Sequence, residues 1–456
     1  MHVRRPVLAL IVVAVLVRLA AAWSANGVGL EVVDERHYAT LAGNLTDGVG
    51  FAWGPGEPTS IRPPLYPAFV AAIWGAVGEK NLQAVRWVQV VVSLFSVWLV
   101  YLIGCQWFDR RSALLAAAGM AIYPSLLFAG VLILTETVFV VLLLLFIWCC
   151  GRLEERPSLS MAFAAGLALG LSALARSVMW PFILLVPAMA WFGLRSGRSA
   201  RVQVIVALVV GYAAVVGPWA VRNTLLQGTS TVVDTMGGLN LLMGNYEHTP
   251  EDRMWDAVSL TGDQYWSATL PKLAPDGRRW TEGTKEKWAQ RQAVAYMLEH
   301  PGTTLRRSLL KFADFWGLER DFIAGFQRGY YQAPTWFVAV GAAFITLAYI
   351  ATAILAVVGI FMSPPDRRAH VFLLTVILFI CGVHTIVFGH SRYHLPLIPI
   401  LLLYAAAAVT SGEWRRLFSF RGPAVLAAAT LLVLALVWSR DVLVRDWDRI
   451  RELVTG

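Results

Sequence analysis

Residues 65–78 read LYPAFVAAIWGAVG, an apolar run whose placement decides how the rest of the chain is threaded. The run has 14 residues, whereas a helix needs about 20 to cross a hydrocarbon core roughly 30 Å thick. A proline pair, Pro63 and Pro64, directly precedes it. We therefore predict a re-entrant or interfacial helix that stays on one side of a membrane.

The composition of the chain is that of an integral membrane protein. Hydrophobic residues make up 57% of it and charged residues 15%, and the mean hydropathy is +0.61. The other apolar runs are about 16 to 25 residues long and lack the alternation of barrel strands. We expect an all-α polytopic bundle of about eleven transmembrane helices, with interfacial helices in the first external loop and a mixed external segment. The predicted spans are 6–24, 83–104, 112–128, 132–150, 160–175, 177–194, 202–220, 333–361, 369–388, 394–411 and 422–438.

Basic residues predict the orientation, because short cytoplasmic loops collect Lys and Arg. If 65–78 remains outside, every basic cluster falls on the cytoplasmic side. This places the N-terminus in the cytoplasm and the tail from Ser439 outside. The net charge of +9 then reflects topology, so we expect no nucleic-acid partner. The clusters are Arg4/Arg5, Arg110/Arg111, Arg152/Arg156, Arg195/Arg198/Arg201, Arg367/Arg368 and Arg415/Arg416/Arg421.

Four regions follow from this topology. We predict an N-terminal membrane module over 1–221 that contains the first external loop, 25–64. An external segment covers 222–332, C-terminal transmembrane helices cover 333–438, and an external tail covers 439–456. Within the first loop, a helix is predicted from Glu35 to Leu45, with Asp34 as its N-cap.

Ionisable residues from distant parts of the sequence collect at the external ends of the predicted spans. A charge costs about 2.5–3.5 kcal/mol at mid-membrane and less near the surface, so a cluster indicates a purpose. Each residue alone has a simpler interpretation, such as a helix cap, a helix-dipole contact or an arginine reaching the interface. The functional hypothesis depends on their coincidence. The residues are Asp34, Glu35, Arg62, Glu136, Arg176, Arg222, His390, Arg392 and His394.

These residue types suit one kind of chemistry. Guanidinium groups bind phosphate oxygens in a fork and stay charged, which fits the phosphate of a lipid carrier. A neighbouring carboxylate can take a proton from an attacking hydroxyl or amine. Together they predict sugar transfer from a lipid phosphate, with Asp34 as the general base and the arginines stabilising the departing phosphate.

The sequence also resembles the membrane-embedded GT-C glycosyltransferases, in particular bacterial relatives of the protein O-mannosyltransferases and of the lipid A aminoarabinose transferase. The resemblance implies a polyprenyl-phosphate sugar donor, inversion at the anomeric carbon, Asp34 as catalytic base, and a place in a bacterial cytoplasmic (inner) membrane. Arg62 stands where the protein mannosyltransferases have His, which leaves the acceptor open. The matching motifs are Asp34-Glu35 with Tyr38, Arg62-Pro63-Pro64-Leu65-Tyr66-Pro67, Thr135-Glu136, Pro218-Trp219 with Arg222-Asn223, Gly237-Gly238 with Asn240 and Gly244-Asn245, and Ser391-Arg392-Tyr393 with Pro396 and Pro399.

The sequence thus gives a set of site residues and partners to test. Asp34 and Glu35 are the predicted catalytic pair. The acceptor is a glycolipid, a polysaccharide or a protein, and membrane lipid surrounds the chain. No cofactor is required, although Mg²⁺ or Mn²⁺ held by Asp34, Glu35 and Glu136 remains open. The predicted donor-phosphate and substrate-binding residues are Arg62, Tyr66, Glu136, Arg176, Arg222, Asn223, Asn240, His390, Arg392 and Tyr393.

Two other functions share some of these features. A flippase or transporter of lipid-linked saccharides would use charges to line a path, although such proteins place charges deep within their spans and have short loops. A polysaccharide polymerase or ligase would share the arginines without requiring Asp34.

Overall fold

The computed structural model describes residues 4–251, 254–259, 279–319, 335–413 and 422–447, and single residues at 270, 277, 415 and 451. Throughout these ranges the regular structure is helical, with one isolated bridge between Ala52 and Pro58. The predicted all-α fold is confirmed. The helices are α1 Arg4–Ser24, α2 Val33–Thr46, α3 Leu65–Val77, α4 Leu82–Trp107, α5 Arg110–Ile122, α6 Pro124–Ala129, α7 Glu136–Glu155, α8 Leu159–Ala175, α9 Val186–Gly193, α10 Arg198–Gln227, α11 Gly237–Met243, α12 Glu282–Glu299, α13 Pro301–Phe315, α14 Thr335–Met362, α15 Arg367–Ile386, α16 Ile398–Ser411 and α17 Pro423–Arg440.

Eight helical stretches in the described part of the chain are long and apolar enough to cross a membrane. Three predicted spans are not among these eight: 160–175 is the shorter apolar helix α8, and 112–128 and 177–194 are not continuous helices. Span 112–128 is divided between α5 and α6, and span 177–194 between a 3₁₀ segment, Ser177–Leu184, and α9. The eight stretches are Val7–Ser24, Leu82–Trp107, Glu136–Glu155, Arg198–Gln227, Val338–Met362, Arg367–Ile386, Ser391–Ser411 and Pro423–Arg445.

Proline explains these interruptions, because it lacks the N–H that continues a helix and disfavours a helical residue before it. At the first break, Pro124 cannot donate to the carbonyl of Met120. Arg18 of α1 supplies the missing donor: its Nη2 lies 3.0 Å from Met120 O, and its Nη1 lies 2.6 Å from Ala121 O. The break therefore holds α1 against α5. This role of Arg18 is not apparent from the sequence.

The short helix α3 has the length expected of an interfacial helix. Its 13 residues extend about 20 Å at 1.5 Å per residue. It packs on α2, where the rings of Tyr38 and Tyr66 meet edge to face with centroids 5.2 Å apart. The indole of Trp74 donates to Asn81 O at 3.0 Å, which fixes the turn into α4. This packing keeps the chain around 62–64 beside α2.

Helices α8 and α10 approach each other closely through glycine. A Cβ on Gly166 would lie 2.0 Å from Leu208 O, and one on Gly211 would lie 2.3 Å from Phe163 O. Small residues of this kind let two helix backbones come together in a bundle. The crossing fixes Arg176, the residue that follows α8.

We predict that Gly166→Ala lowers the free energy of unfolding by about 1–3 kcal/mol, because the added methyl group forces α8 and α10 apart. The matched control is Gly217→Ala in α10, where a Cβ would meet nothing within 4 Å. Thermal unfolding of the purified variants in detergent measures both. Equal melting temperatures for the two variants would contradict this account of the crossing.

The segment that follows α10 packs against the first loop. Glu282, at the start of α12, accepts hydrogen bonds from Thr59 Oγ1 at 2.6 Å and from Ser60 N at 2.7 Å. Lys311 of α13 is fully buried and donates to Asn245 Oδ1 at 2.7 Å and Ile386 O at 2.9 Å. Burial lowers the pKa of Lys311 to about 7. These bonds hold the segment to the end of α15.

The end of α17 lies beside α13. Arg440 Nη1 is 3.0 Å from Asp314 Oδ1, and Arg445 Nη1 is 2.5 Å from the same oxygen. The two predicted external regions, 222–332 and 439–456, therefore meet at one end of the bundle. The predicted boundary at 221 falls inside α10. Much of 252–278, residues 320–334, the basic residues Arg416 and Arg421, and most of the tail after 447 lie outside the described residues.

Candidate active site

Asp34 and Glu35 have different surroundings, although they are adjacent. Helix α2 begins at Val33, so the predicted N-cap role of Asp34 is wrong. Glu35 satisfies this helix end instead, because its Oε2 accepts from the N–H groups of Glu31 and Val32, each at 2.9 Å. Its Oε1 accepts from Ile133 N at 2.8 Å, and the residue is buried. The geometry gives Glu35 a structural role and leaves Asp34 for other contacts.

Asp34 forms an ion pair with Arg62, which lies three residues before the start of α3. Asp34 Oδ1 lies 2.7 Å from Arg62 Nη2, and the Asp34 side chain is 25% exposed. The same Nη2 is 2.9 Å from His37 Nδ1. Burial lowers the pKa of His37, and the positive charge of Arg62 acts in the same direction, so the neutral ring can accept this bond. His37 was missed by the sequence analysis.

Glu136 joins two further arginines to this pair. It is the first residue of α7 and is buried. Its Oε1 lies 2.5 Å from Arg392 Nε and 3.2 Å from Arg176 Nη1. Arg392 Nη1 is also 3.6 Å from Asp34 Oδ2. Five predicted site residues, at positions 34 to 392 of the sequence, therefore form one connected cluster. We call Asp34, Arg62, Glu136, Arg176 and Arg392 the charge cluster.

The irregular segment 130–135 positions Glu136, and residues of α4 hold this segment. Gln89 Nε2 donates to Gly130 O at 3.0 Å and to Leu132 O at 2.9 Å. Arg86 Nε donates to Val131 O at 3.0 Å. These donors satisfy carbonyls that a helix would otherwise satisfy. Arg86 and Gln89 were also missed, although two polar residues three positions apart in an apolar span were a visible signal.

Arg392 lies in a 3₁₀ turn, Ser391–Leu397, that a buried histidine anchors. His394 Nδ1 lies 2.5 Å from Phe315 O, and its Nε2 lies 3.3 Å from Glu319 Oε1. Because a carbonyl oxygen only accepts, Nδ1 is the donor to Phe315 O, and Nε2 faces the Glu319 carboxyl group. Glu319 also accepts from the hydroxyls of Tyr123 and Ser125. The pair links the Arg392 turn to the α5–α6 break.

His390 and Tyr393 support the same turn. His390 Nδ1 accepts from Arg392 N at 3.2 Å. The Tyr393 ring stacks on His384 with centroids 4.3 Å apart, and the Arg176 guanidinium lies 5.6 Å from the Tyr393 ring centre. Both residues are thus next to the charge cluster. Their predicted contact with substrate stays a prediction.

Four other predicted residues have contacts elsewhere. Tyr66 is buried and donates to Gln89 Oε1 at 2.7 Å. Arg222 Nη1 donates to Thr59 O at 2.7 Å, and its guanidinium lies 4.6 Å from the Trp219 ring centre. These contacts fasten α3 to α4 and the first loop to α10. Asn223 is fully buried and donates to Val233 O at 3.0 Å, and Asn240 is a half-buried residue of α11. For all four residues, contact with the substrate stays a prediction, and the contacts described here do not support it.

Asp234 is a further carboxylate near the charge cluster, and the sequence analysis did not identify it. Burial raises its pKa to about 6, while hydrogen bonds from the Ser177 hydroxyl and the Met236 N–H and the charge of Arg62 act in the opposite direction. The Met236 N–H lies 3.1 Å from Asp234 Oδ1. Asp234 belongs to the loop after α10, so the segment following the first seven predicted spans also contributes to the site.

Binding of Mg²⁺ or Mn²⁺ by Asp34, Glu35 and Glu136 was left open by the sequence. No group of three or more His, Cys, Asp or Glu side chains in the described part of the chain could hold a metal ion. The predicted trio is occupied otherwise: Glu35 accepts backbone N–H groups, and Arg392 lies between Asp34 and Glu136. These three carboxylates do not fit a divalent cation in this arrangement.

Residues 62–221 match the family model described as dolichyl-phosphate-mannose-protein mannosyltransferase. A search of curated proteins found no match. Asp34 and Arg392 lie outside the matched residues.

Among solved structures, the chain is similar to the oligosaccharyltransferase of Archaeoglobus fulgidus. The apo form matches with 16% identity and a TM-score of 0.53, covering 94% of this chain and 54% of that one. AglB from the same organism, in complex with an inhibitory peptide and a dolichol-phosphate, matches with 16% identity and a TM-score of 0.52 over 94% and 54% of the two chains. ArnT from Cupriavidus metallidurans, bound to undecaprenyl phosphate, is a weaker match, with 12% identity and a TM-score of 0.39 over 90% and 79%.

The solved structures show the fold, and together with the match over residues 62–221 they support the resemblance to the membrane-embedded GT-C glycosyltransferases. Within that class, the family model supports the resemblance to the mannosyltransferases over residues 62–221. The resemblance drawn from the motifs is confirmed at this level. The chain spans about half the length of the oligosaccharyltransferases that it matches, and at these identities the likeness concerns the fold alone.

Proposed function

We propose that this protein transfers a sugar from a polyprenyl-phosphate-linked donor to an acceptor on the external face of the cytoplasmic membrane. The main support for the proposal is the charge cluster. Its three guanidinium groups and two carboxylates are joined by four ion pairs with N–O distances of 2.5–3.6 Å. The surplus of positive charge suits an anion. A phosphate that leaves an anomeric carbon is an anion on which charge develops in the transition state.

Arg62 is the arginine that most directly links the phosphate to the base. Its Nε is buried and has no hydrogen-bond partner among the residues that the structure describes, so its N–H group is available to a bound phosphate. Its Nη2 holds Asp34. A donor phosphate that binds Arg62 competes with Asp34 for this guanidinium. Donor binding therefore frees a carboxylate oxygen of Asp34 to accept a proton.

The transfer step then proceeds in one displacement. Asp34 takes the proton of the acceptor hydroxyl or amine as the acceptor atom forms its bond to the anomeric carbon. The bond between that carbon and the phosphate oxygen breaks, and its electron pair remains on the polyprenyl phosphate. Arg176 and Arg392, which Glu136 holds side by side, stabilise this new charge. Attack opposite the leaving phosphate inverts the anomeric centre.

The charged residues inside predicted spans favour the enzyme over a flippase. Arg18 and Arg86 are buried in α1 and α4 and donate to backbone carbonyls at helix breaks. They hold the bundle together and do not line a path. The polymerase or ligase alternative would use the arginines in the same way but not Asp34, so substitution of Asp34 separates it from the proposal.

We expect Arg176→Gln to weaken binding of a polyprenyl phosphate by about 10- to 150-fold, because one charge-assisted contact contributes about 1.5–3 kcal/mol. The control is Arg36→Gln, an exposed arginine of α2 that contacts Leu30 O. Binding is measured on the purified protein in detergent with a labelled polyprenyl phosphate. If Arg176→Gln bound the lipid as tightly as the Arg36→Gln control, Arg176 would not contact the phosphate, and the proposed phosphate site would be wrong.

A further inference from the structure

A large cavity lies at the end of the bundle opposite the charge cluster. Its volume is about 720 Å³, within the range of about 300–1,000 Å³ typical of ligand sites. Its walls include Phe146 of α7, Leu208 of α10 and Phe372 of α15, and Glu154 of α7 also lines it. Glu154 follows Glu136 by 18 residues of one helix, or about 27 Å, so this cavity is separate from the site described above.

The wall of the cavity is apolar, and its rim is charged. Aromatic and aliphatic side chains line it from α7, α9, α10 and α15, and Phe192 at its edge is 79% exposed. Arg195, Arg367 and Arg368 lie on the rim together with two acids, Glu154 and Asp366. An apolar interior with a basic rim is complementary to a molecule that has a hydrocarbon chain and an anionic head.

Two rim atoms lack a hydrogen-bond partner in the described part of the chain. They are Nη1 of Arg368 and Oε1 of Glu154, and both are buried. Asp366 caps α15, where its Oδ1 accepts from Arg368 N at 2.8 Å and from Ala369 N at 3.3 Å. Buried polar atoms without partners are costly and rare, so the pair calls for a ligand that both accepts and donates.

We propose that this cavity binds an anionic glycerophospholipid with a hydroxyl-bearing headgroup. Its phosphate accepts from Arg368, with Arg195 and Arg367 contributing positive charge, and its headgroup hydroxyl donates to Glu154. An acyl chain fills the apolar interior beside Phe146 and Phe372. The Trp107 indole, which also lines the cavity, hydrogen-bonds to the Glu154 carboxyl group, and Oε1 is the oxygen left for the headgroup. A choline headgroup has no O–H or N–H donor, so it leaves Oε1 of Glu154 without a partner. The inference is independent of sugar transfer, because it uses none of the residues of the charge cluster.

The test uses the purified full-length chain with phosphatidylglycerol or phosphatidylcholine as the probe. We expect phosphatidylglycerol to remain bound in native mass spectrometry and to raise the melting temperature, and phosphatidylcholine to do neither. Arg368→Gln and Glu154→Gln should each weaken phosphatidylglycerol binding by about tenfold. Ala188→Trp, which narrows the cavity from α9 without removing a charge, should also weaken it.

Arg152→Gln is the control for general attraction between basic residues and anionic lipid. Arg152 is exposed on the same end of α7, pairs with Glu155 at 2.6 Å, and does not line the cavity. Equal binding of the two lipids would overturn the proposal. An equal loss for Arg152→Gln and Arg368→Gln would do the same, since it would mean attraction to the surface and not binding in the cavity.

Discussion

Replacing Asp34 with Asn is expected to lower kcat for sugar transfer by about 10²–10⁴-fold, the usual contribution of a positioned general base. The amide keeps the size of the side chain, and its oxygen still accepts from Arg62, so the loop keeps its contacts. What it loses is the capacity to take the acceptor proton. Initial rates with a polyprenyl-phosphate sugar at saturating concentration measure the effect, and donor binding measured separately should change far less.

Asp47→Asn is the matched control. Asp47 follows α2, is about half exposed, and pairs with Lys80 at 2.6 Å, away from the charge cluster. We expect its activity to stay within about twofold of the wild type, since exposed ion pairs contribute about 0–1 kcal/mol. An Asp34→Asn variant as active as this control would remove the general base from the mechanism and favour the polymerase or ligase alternative.

The second large effect is expected for Glu136→Gln. This change removes the negative charge that holds Arg176 and Arg392, whose side chains are only 15% and 20% exposed. Breaking a buried pair by removing one partner typically lowers stability by about 3–5 kcal/mol, because the remaining charges are uncompensated. We therefore expect a lower melting temperature together with a strong loss of transfer activity, measured by thermal unfolding and by initial rates.

A polyprenyl phosphate should restore much of the lost stability of Glu136→Gln, because its phosphate replaces the carboxylate between the two guanidinium groups. The rise in melting temperature with added lipid should thus be larger for this variant than for the wild type. Glu155→Gln is the control, since Glu155 is exposed at the other end of α7 and pairs with Arg152. A smaller lipid effect in Glu136→Gln than in the wild type would place the phosphate away from Arg176 and Arg392.

The sequence predicted the members of the charge cluster better than it predicted their individual roles. Asp34, Arg62, Glu136, Arg176 and Arg392 were all identified, because charges near apolar spans stand out from their surroundings. Arg222 was identified by the same signal but contacts the first loop. A charge near an interface is visible in sequence, whereas the atom that it contacts is not.

The roles of the two adjacent acids could not be separated from the sequence. Which of them caps α2 depends on where the helix begins, and helix ends are uncertain by one or two residues. A shift of one residue turns a side chain by about 100° around the helix axis, since 3.6 residues make a turn. Helix α2 begins at Val33, and this start directs Glu35 to backbone N–H groups and Asp34 to Arg62.

The sequence by itself determined that the chain is a helical membrane protein, because hydropathy and run length depend only on which residues are adjacent. It also indicated which charges are costly enough to require partners. Only the tertiary structure decided which partners they have. Arg18 and Arg86 complete broken backbones, whereas Arg62 and Arg392 meet Asp34. The reason is physical: a guanidinium binds a backbone carbonyl as readily as a carboxylate, and helix packing alone sets which oxygen lies within reach.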